Sequence, residues 1–587
     1  MREENSATRV KVARVAELAE RGCVTTKLGN RPICLFYDDG QVYAVEDRCP
    51  HMGFPLHRGT VQGGLLTCHW HHARFDLASG GTLDPFADDV TAFPVEIQDG
   101  DVYVLAADDA DRIVRLFRRL DEGIEQGITL VIAKAVLGLL EAGVGTEEIV
   151  EAGVGFGTRY RGEGWGPGLT VLVAMMNVLP VLDPADRALA LVHGLAFLSG
   201  DTRGRSPRFP LAPLESALPI ARLTAWYRRF IDTRSADAAE RSLATAIASG
   251  HGPVAVATLM CAAVTDHVFI DGGHTIDFTN KAFECLEHIG WTRAGTVLPT
   301  LVAQTAGAQR HEEESAWRHP VDLAAMLVAS TNEDVLKARL QRAARSADRA
   351  PFDDPQVDNL AWAVLSEDPV EIVEALGGAI ELGASPEQLA RAVAYAAALR
   401  IARFHTQNDH GDWNEVHHAF TSASAVHQSI VRAPSVELLR GVYQGALRVY
   451  LDRFLNVPPA RLPSVGDGDG QGVDLANLEG CWDTEGGVNE AGHLAYRYLS
   501  SGGPAERLLA ALGHALLNED AEFHWFQIYE AAVRQFRAWP VGSEQGRLIM
   551  TGAARFLAAH TPTRRERSQV VRIATRLRRG EPLYEEA

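Results

Sequence analysis

The chain has 587 residues, which is too long for one domain and predicts several structural units. Hydrophobic residues make up 46% of it, and the formal net charge of −20 disfavours nucleic acid and anionic membranes as partners. No apolar run approaches the length of a membrane-spanning helix, and the first residues lack the apolar segment of a signal peptide. Because the seven cysteines are scattered and do not suggest a disulfide framework, we expect a cytoplasmic protein.

The amino-terminal part alternates short β-rich runs with turn signals. Residues 31–36 and 42–45 flank one Asp–Gly pair, and residues 93–97 and 102–105 flank another. An Asp–Gly pair between two β-rich runs is typical of a hairpin. This texture predicts a small all-β domain over residues 1–107.

Two short loops inside this region each carry one cysteine and one histidine. The first loop has Cys49 and His51 in the order C-x-H, and the second has Cys68 and His71 in the order C-x-x-H. A Rieske [2Fe–2S] centre uses two cysteines on one iron and two histidines on the other. Structural zinc also accepts two of each, but its two cysteines usually come as one pair and its two histidines as another. The order therefore favours an iron–sulfur centre.

Residues of about 8–106 resemble a Rieske ferredoxin-type domain, on the loops CPHMGFPLHRG and CHWHHARFDLASG and the closing hairpin FPVEIQDGDVYVL. Rieske proteins of cytochrome bc complexes carry a further cysteine in each loop, where this chain has Phe54 and Trp70. The resemblance therefore implies the low-potential group, which contains soluble ferredoxins and the Rieske domains of ring-hydroxylating oxygenases. It also implies a reductase or ferredoxin as electron donor, and a [2Fe–2S] cluster held by Cys49, His51, Cys68 and His71.

From residue 108 onward the pattern changes to that of helices. Segments rich in Ala, Leu, Glu and Arg show apolar residues at i, i+3, i+4 and i+7. Examples are residues 171–179, 189–198, 390–402 and 505–517. We therefore predict a large all-α body over residues 108–587.

The helical body also contains four similar segments. In each, two helical stretches are separated by a short polar break, and the breaks are centred near Trp165, His274, His410 and His524. Such self-similarity is typical of helical repeats that bury one another's faces. We predict four repeated helical units.

The polar breaks supply candidate ligands for a second metal. Neutral imidazole and carboxylate groups are the ligand set of non-haem iron, and in a helical body they must project inward from facing helices. His and Asp near helix starts also serve as caps or as members of satisfied polar networks, and this alternative stays open. The candidate ligands of a second, non-haem iron site are His267, His274, Asp277, His405, His410 and His524.

Three functions remain open at this point. In the first, the cluster passes electrons to a substrate or metal site in the helical body, which makes the protein an oxidoreductase and, in one form, an oxygenase acting on a small molecule. In the second it is an electron-transfer protein whose helical body docks a partner, and in the third it is a redox sensor. The body is larger than an electron carrier needs, which favours the first. The D-x₂-H-x₄-H iron motif of ring-hydroxylating oxygenases has no convincing copy here, so the reaction is not implied by resemblance.

Overall fold

The computed structural model of the chain describes residues 9–105, 112–344, 351–408, 410–464, 474–581 and 583. Within these residues, a small β domain is followed by a large body of twenty-four α-helices, which confirms the predicted fold class. None of the described helices is both long and apolar enough to span a membrane.

The β domain contains ten strands and one α-helix in its described residues. The strands are β1 Arg9–Arg14, β2 Cys23–Leu28, β3 Arg31–Asp38, β4 Gln41–Glu46, β5 Thr60–Gln62, β6 Leu65–Thr67, β7 Arg74–Asp76, β8 Ala92–Phe93, β9 Val95–Gln98 and β10 Asp101–Leu105, and helix α1 is Val15–Arg21. They form three antiparallel sheets with the strand orders β1-β10-β9, β2-β3-β4-β8 and β5-β6-β7.

Both predicted Asp–Gly hairpins are present. Asp39 and Gly40 turn β3 into β4 with φ of 47° and 82°, and Asp99 and Gly100 turn β9 into β10 with φ of 52° and 77°. Positive φ at both central residues matches the right-handed twist of the strands, and Asp–Gly adopts it at low cost. The side chains of β10 then alternate, so that its valines are buried while Tyr103 is half-buried.

The helical body comprises helices α2 to α25. The first twelve are α2 Arg112–Gln126, α3 Thr129–Glu141, α4 Thr146–Tyr160, α5 Pro167–Val178, α6 Arg187–Thr202, α7 Ile220–Asp232, α8 Ala236–Ala248, α9 Pro253–Thr265, α10 His274–Ile289, α11 Ala294–Val297, α12 Val302–Gly307 and α13 Leu323–Ser330. The other twelve are α14 Glu333–Ala344, α15 Asp354–Val364, α16 Pro369–Glu381, α17 Pro386–Ala402, α18 His410–Arg432, α19 Val436–Leu451, α20 Leu475–Gly480, α21 Val488–Ser500, α22 Ala505–Asn518, α23 Phe523–Arg537, α24 Glu544–His560 and α25 Glu566–Arg578.

The chain forms two compact units, and the first extends beyond the β-sheets. The first unit comprises residues 1–149 and 567–587, and the second comprises residues 150–566. The first unit therefore contains α2, α3 and most of α25 in addition to the β-sheets. Salt bridges and hydrogen bonds from α2 and α3 to loops of the β domain account for this grouping, because they tie both helices to the sheets.

In the second unit, the four predicted repeat centres lie at helix starts. Trp165 stands two residues before α5, His274 and His410 are the first residues of α10 and α18, and His524 is the second residue of α23. Helix α10 packs on α5 and α18, and α23 packs on the same two helices. Repetition of the four units remains a prediction.

Helices α10 and α23 run in the same direction and share a polar seam. His274 stacks with His524 at 5.7 Å between ring centroids, and one turn further along both helices Asp277 accepts a hydrogen bond from Gln527. One turn beyond that, Lys281 donates to Glu284 at 2.8 Å and to Glu530 at 2.7 Å. Burial alone would raise the pKa of Glu284, but the Lys281 and Arg534 charges lower it to about 2. The buried glutamates of the seam are therefore paired with the cations Lys281 and Arg534.

Replacing Lys281 with Met should destabilise the second unit strongly. The change removes the buried one of the two cations that Glu284 and Glu530 share and leaves only the partly exposed Arg534 beside them. Breaking a buried ion pair in this way costs about 3–5 kcal/mol. Urea unfolding followed by circular dichroism measures the loss. The matched control is Lys337→Met, which removes an exposed Lys–Glu pair on α14 and should leave the unfolding midpoint unchanged. An equal midpoint for both variants would show that the buried network contributes no more than a surface pair.

Candidate redox and metal sites

Two loops of the β domain present the predicted cluster ligands. The first loop follows β4 and closes on itself, with Cys49 N donating to Phe54 O at 2.8 Å and Gly53 N donating to Cys49 O at 2.7 Å. The second loop joins β6 to β7 and is closed by Cys68 N donating to Ala73 O at 2.9 Å. Both cysteines belong to a buried apolar cluster, so the loops are anchored through their sulfur-bearing residues.

The four side chains converge between these loops. The Cys49 and Cys68 thiols face each other, and their hydrogen bond raises the pKa of Cys49 and lowers that of Cys68 to about 6. The rings of His51 and His71 lie 4.8 Å apart, edge to face. His51 Nδ1 is buried and has no hydrogen-bond partner in the described part of the chain. Two thiols and two imidazoles, one of which has a buried ring nitrogen without a hydrogen-bond partner among the described residues, are a donor set that fits a Rieske cluster.

The two imidazoles differ in their surroundings. His51 is half-buried against the ring of Phe86, with 5.0 Å between centroids, and burial together with the charge of Lys134 lowers its pKa to about 4. His71 is exposed and packs beside the half-exposed ring of Trp70 at 4.6 Å. The cluster site therefore reaches the surface of the first unit through His71.

A buried lysine of the first unit contacts the first loop. Lys134 Nζ on α3 donates to the carbonyl oxygens of Pro50 at 2.5 Å and His51 at 2.8 Å, and it lies 3.3 Å from Asp88 Oδ2. Lys134 was not among the predicted site residues. Its signal is that Lys134 is the only charged residue in α3 before Glu141, which is unusual in an apolar helix.

Three histidines of the second unit form a candidate metal site. They are His274 at the start of α10, His418 in the third turn of α18 and His524 at the start of α23, and each offers one ring nitrogen within 4.8 Å of the other two. The Nε2 atoms of His418 and His524 are 3.2 Å apart. Three half-buried imidazoles at this spacing can bind one transition-metal ion.

Burial keeps the three imidazoles neutral. It lowers the pKa of all three, to about 2 for His418 and about 4 for His524, and the neighbouring histidines lower these two pKa values further. A neutral imidazole is the form that binds a metal. The triad is therefore in its ligand form at neutral pH.

A fourth histidine beside the triad supports a metal site at this position. His417 is fully buried, its ring centroid lies 4.7 Å from that of His524, and neither of its nitrogens has a partner among the described residues. Buried polar nitrogens are nearly always hydrogen-bonded. An unpartnered imidazole next to the triad indicates a site built for a polar or metal ligand.

The loop before α10 sets the position of His274. Phe269 and Asp271 have φ of 42° and 52°, a left-handed conformation that costs free energy for residues other than glycine. Gly273 follows with φ of 90°, and a Cβ there would lie 2.8 Å from Ser422 Cβ on α18. Only glycine allows this close approach, which places the first turn of α10 against α18.

The structure brings together two of the predicted second-site ligands, His274 and His524. His267 Nδ1 instead contacts Glu312 Oε1 at 2.8 Å, and His405 Nδ1 accepts a hydrogen bond from Gln407 N at 3.3 Å. Asp277 is buried one turn beyond His274 and accepts from Gln527, while the side chain of His410 lies outside the described residues. His418 was not among the predicted ligands. Its signal is the His–His pair at positions 417 and 418, inside the segment that predicted His410.

Comparisons with known proteins identify the β domain. A family model for the Rieske [2Fe–2S] domain matches residues 8–94. The 3-phenylpropionate/cinnamic acid dioxygenase ferredoxin subunit of Photorhabdus laumondii is 33% identical over 101 residues, which cover 17% of this chain and 94% of that protein. Human apoptosis-inducing factor 3 is 33% identical over 105 residues, which cover 18% of this chain and only 17% of the human protein.

Among solved structures, the ferredoxin of carbazole 1,9a-dioxygenase from Nocardioides aromaticivorans aligns with 23% identity and a TM-score of 0.17, covering 17% of this chain and all of that one. No family model matches the helical body. The ferredoxin relative at 33% identity is covered almost completely. Through residues 8–94, the chain belongs to the Rieske [2Fe–2S] family, which implies an iron–sulfur cluster in this domain.

Proposed function

We propose that this protein is an oxidoreductase in which electrons received by the Rieske domain serve a non-haem iron centre held by His274, His418 and His524. The observation that carries the proposal is the convergence of three neutral imidazoles in the helical unit of a chain that also has a Rieske domain. A redox-active metal is the natural acceptor for single electrons.

In this proposal, Cys49 and Cys68 hold one iron of the cluster, and His51 and His71 hold the other. When bound, a Rieske cluster supplies transfer of one electron at a time. The residues divide the remaining tasks between them. The exposed His71 provides the contact through which an external reductase or ferredoxin reaches the domain, while the packing of Phe86 and the contacts of Lys134 keep water from His51.

The triad has the features of a catalytic metal site. Three protein ligands leave coordination positions open, whereas structural sites are closed by four. Non-haem iron oxygenases use two histidines and one carboxylate with open positions, and the triad shares with them the imidazole ligands and the open positions. One relative is by its name a ferredoxin subunit of a dioxygenase, which supports an oxygenase reaction. None of the seven cysteines forms a disulfide, which supports a reducing, cytoplasmic setting.

Metal content gives the first test. The purified wild-type protein should hold about two irons with a Rieske signal and about one further metal ion per chain. The His418→Ala variant should keep the Rieske signal and lose the further ion, because the triad would be left with two ligands. Inductively coupled plasma mass spectrometry counts the metal, and electron paramagnetic resonance reports the cluster.

The matched control for metal content is His514→Ala. His514 is a half-exposed histidine of the same unit, and it pairs with Asp186 at 2.9 Å. This variant should keep all its metal. A wild-type protein that carries only the cluster irons, even after incubation with ferrous iron, would contradict the proposal and favour an electron-transfer protein or redox sensor whose helical body docks a partner.

Electron flow gives the second test. The protein is first reduced anaerobically with limiting dithionite and then mixed with dioxygen. The reduced cluster should then be oxidised at least tenfold more slowly in His418→Ala than in wild type. The reason is that the variant lacks the metal that passes the electron on. Stopped-flow absorbance measures the rate, and His514→Ala should behave as wild type. Equal rates in all three proteins would show that the triad does not accept electrons from the cluster.

A further inference from the structure

We propose that Lys134 is a positioning residue for the Rieske cluster, and that Lys134 and Asp88 together set the reduction potential of the cluster with opposite signs. All the residues involved lie in the first compact unit, and their effect on the cluster does not depend on whether the second unit holds a metal.

The contacts of Lys134 account for all the donors of its ammonium group. Its side chain is only 8% exposed, and an ammonium has three N–H donors. Two of them reach the carbonyl oxygens of Pro50 and His51, which belong to the loop between Cys49 and Gly53. The third N–H faces Asp88, whose Oδ2 lies 3.3 Å from Lys134 Nζ. A buried lysine with three such partners holds the loop backbone in one conformation.

Asp88 extends the same arrangement to a second loop. Its Oδ1 lies 3.1 Å from Nε of Arg119 on α2, and Arg119 also donates to the carbonyl oxygens of Pro85 and Ala87. Between those two carbonyls lies Phe86, whose ring packs on His51. Lys134, Asp88 and Arg119 therefore fix two segments together: the loop backbone at His51 and the segment that carries Phe86.

This arrangement is not part of the family domain. Lys134 and Arg119 lie on α3 and α2, outside the matched residues 8–94. Only the loops and Asp88 belong to the matched stretch. The helices that follow the domain thus contribute charges to the site that the domain itself does not carry.

The electrostatic consequence has a definite sign. Reduction adds one negative charge to the cluster, and its potential depends on local charge, hydrogen bonds and solvent exposure. Because the Lys134 side of the site is buried, with Lys134 only 8% exposed, its positive charge stabilises the reduced state more than the same charge would in water. Lys134 therefore raises the reduction potential, and Asp88 lowers it.

The test measures the potential in full-length protein with the cluster bound. Lys134→Met should lower the midpoint potential, with a tenfold less favourable reduction corresponding to about 59 mV for one electron. Asp88→Asn should raise it, and Lys134→Arg should stay closer to wild type than Lys134→Met. Redox titration followed by circular dichroism gives the midpoint. Electron paramagnetic resonance of the reduced state confirms that the cluster is intact.

The matched control is Lys27→Met, which makes the same change at an exposed position of β2 and should leave the midpoint unchanged. If Lys134→Met does not assemble a cluster, Lys134→Gln keeps hydrogen-bond donors without the charge and should lower the midpoint likewise. A purely structural role predicts loss of cluster or of thermal stability in both Lys134→Met and Asp88→Asn. Midpoints that shift in the same direction, or do not shift, would overturn the proposal.

Discussion

The removal of imidazoles from water is the constraint on which the proposed chemistry depends. His274, His418 and His524 stay neutral because helices enclose them, and only neutral rings bind a metal. The enclosing helices must themselves be held in register, since a shift of one residue would turn a ligand away from the others. The polar seam between α10 and α23 provides that register, because the Asp277–Gln527 and Lys281–Glu530 pairs leave buried groups unpaired in any other alignment.

The two candidate sites differ in how far sequence could predict them. Cys49, His51, Cys68 and His71 lie within one short stretch, and their loops are closed by local hydrogen bonds, so motif and hairpin signals were enough to predict that these side chains converge. The triad joins residues more than a hundred positions apart, and only the packing of three helices brings them together. Sequence placed His274 and His524 because both stand at helix starts. It missed His418 because α18 begins two turns before the triad, and it selected His267 although Glu312 already pairs with it.

The secondary-structure pattern and the grouping of elements into compact units divide the chain at different places. Among the described residues the last strand ends at Leu105 and the helices of the body begin at Arg112, which confirms the predicted fold class. Yet α2 and α3 group with the β-sheets, because buried charged side chains on these helices need partners and find them in the loops of the domain. Apolar periodicity does not reveal such partners, since it describes the face of a helix and not what that face contacts.

This grouping limits what the family relationship can say about the cluster. Homology over residues 8–94 transfers the cluster type, since the ligands and their loops lie inside the matched stretch. It does not transfer the reduction potential, because the potential responds to charges near the ligands and one of those charges, on Lys134, comes from a helix outside the match. The charges near the cluster ligands therefore differ between a Rieske domain fused to these helices and the same domain alone. Its potential follows from the whole first unit, not from the family motif.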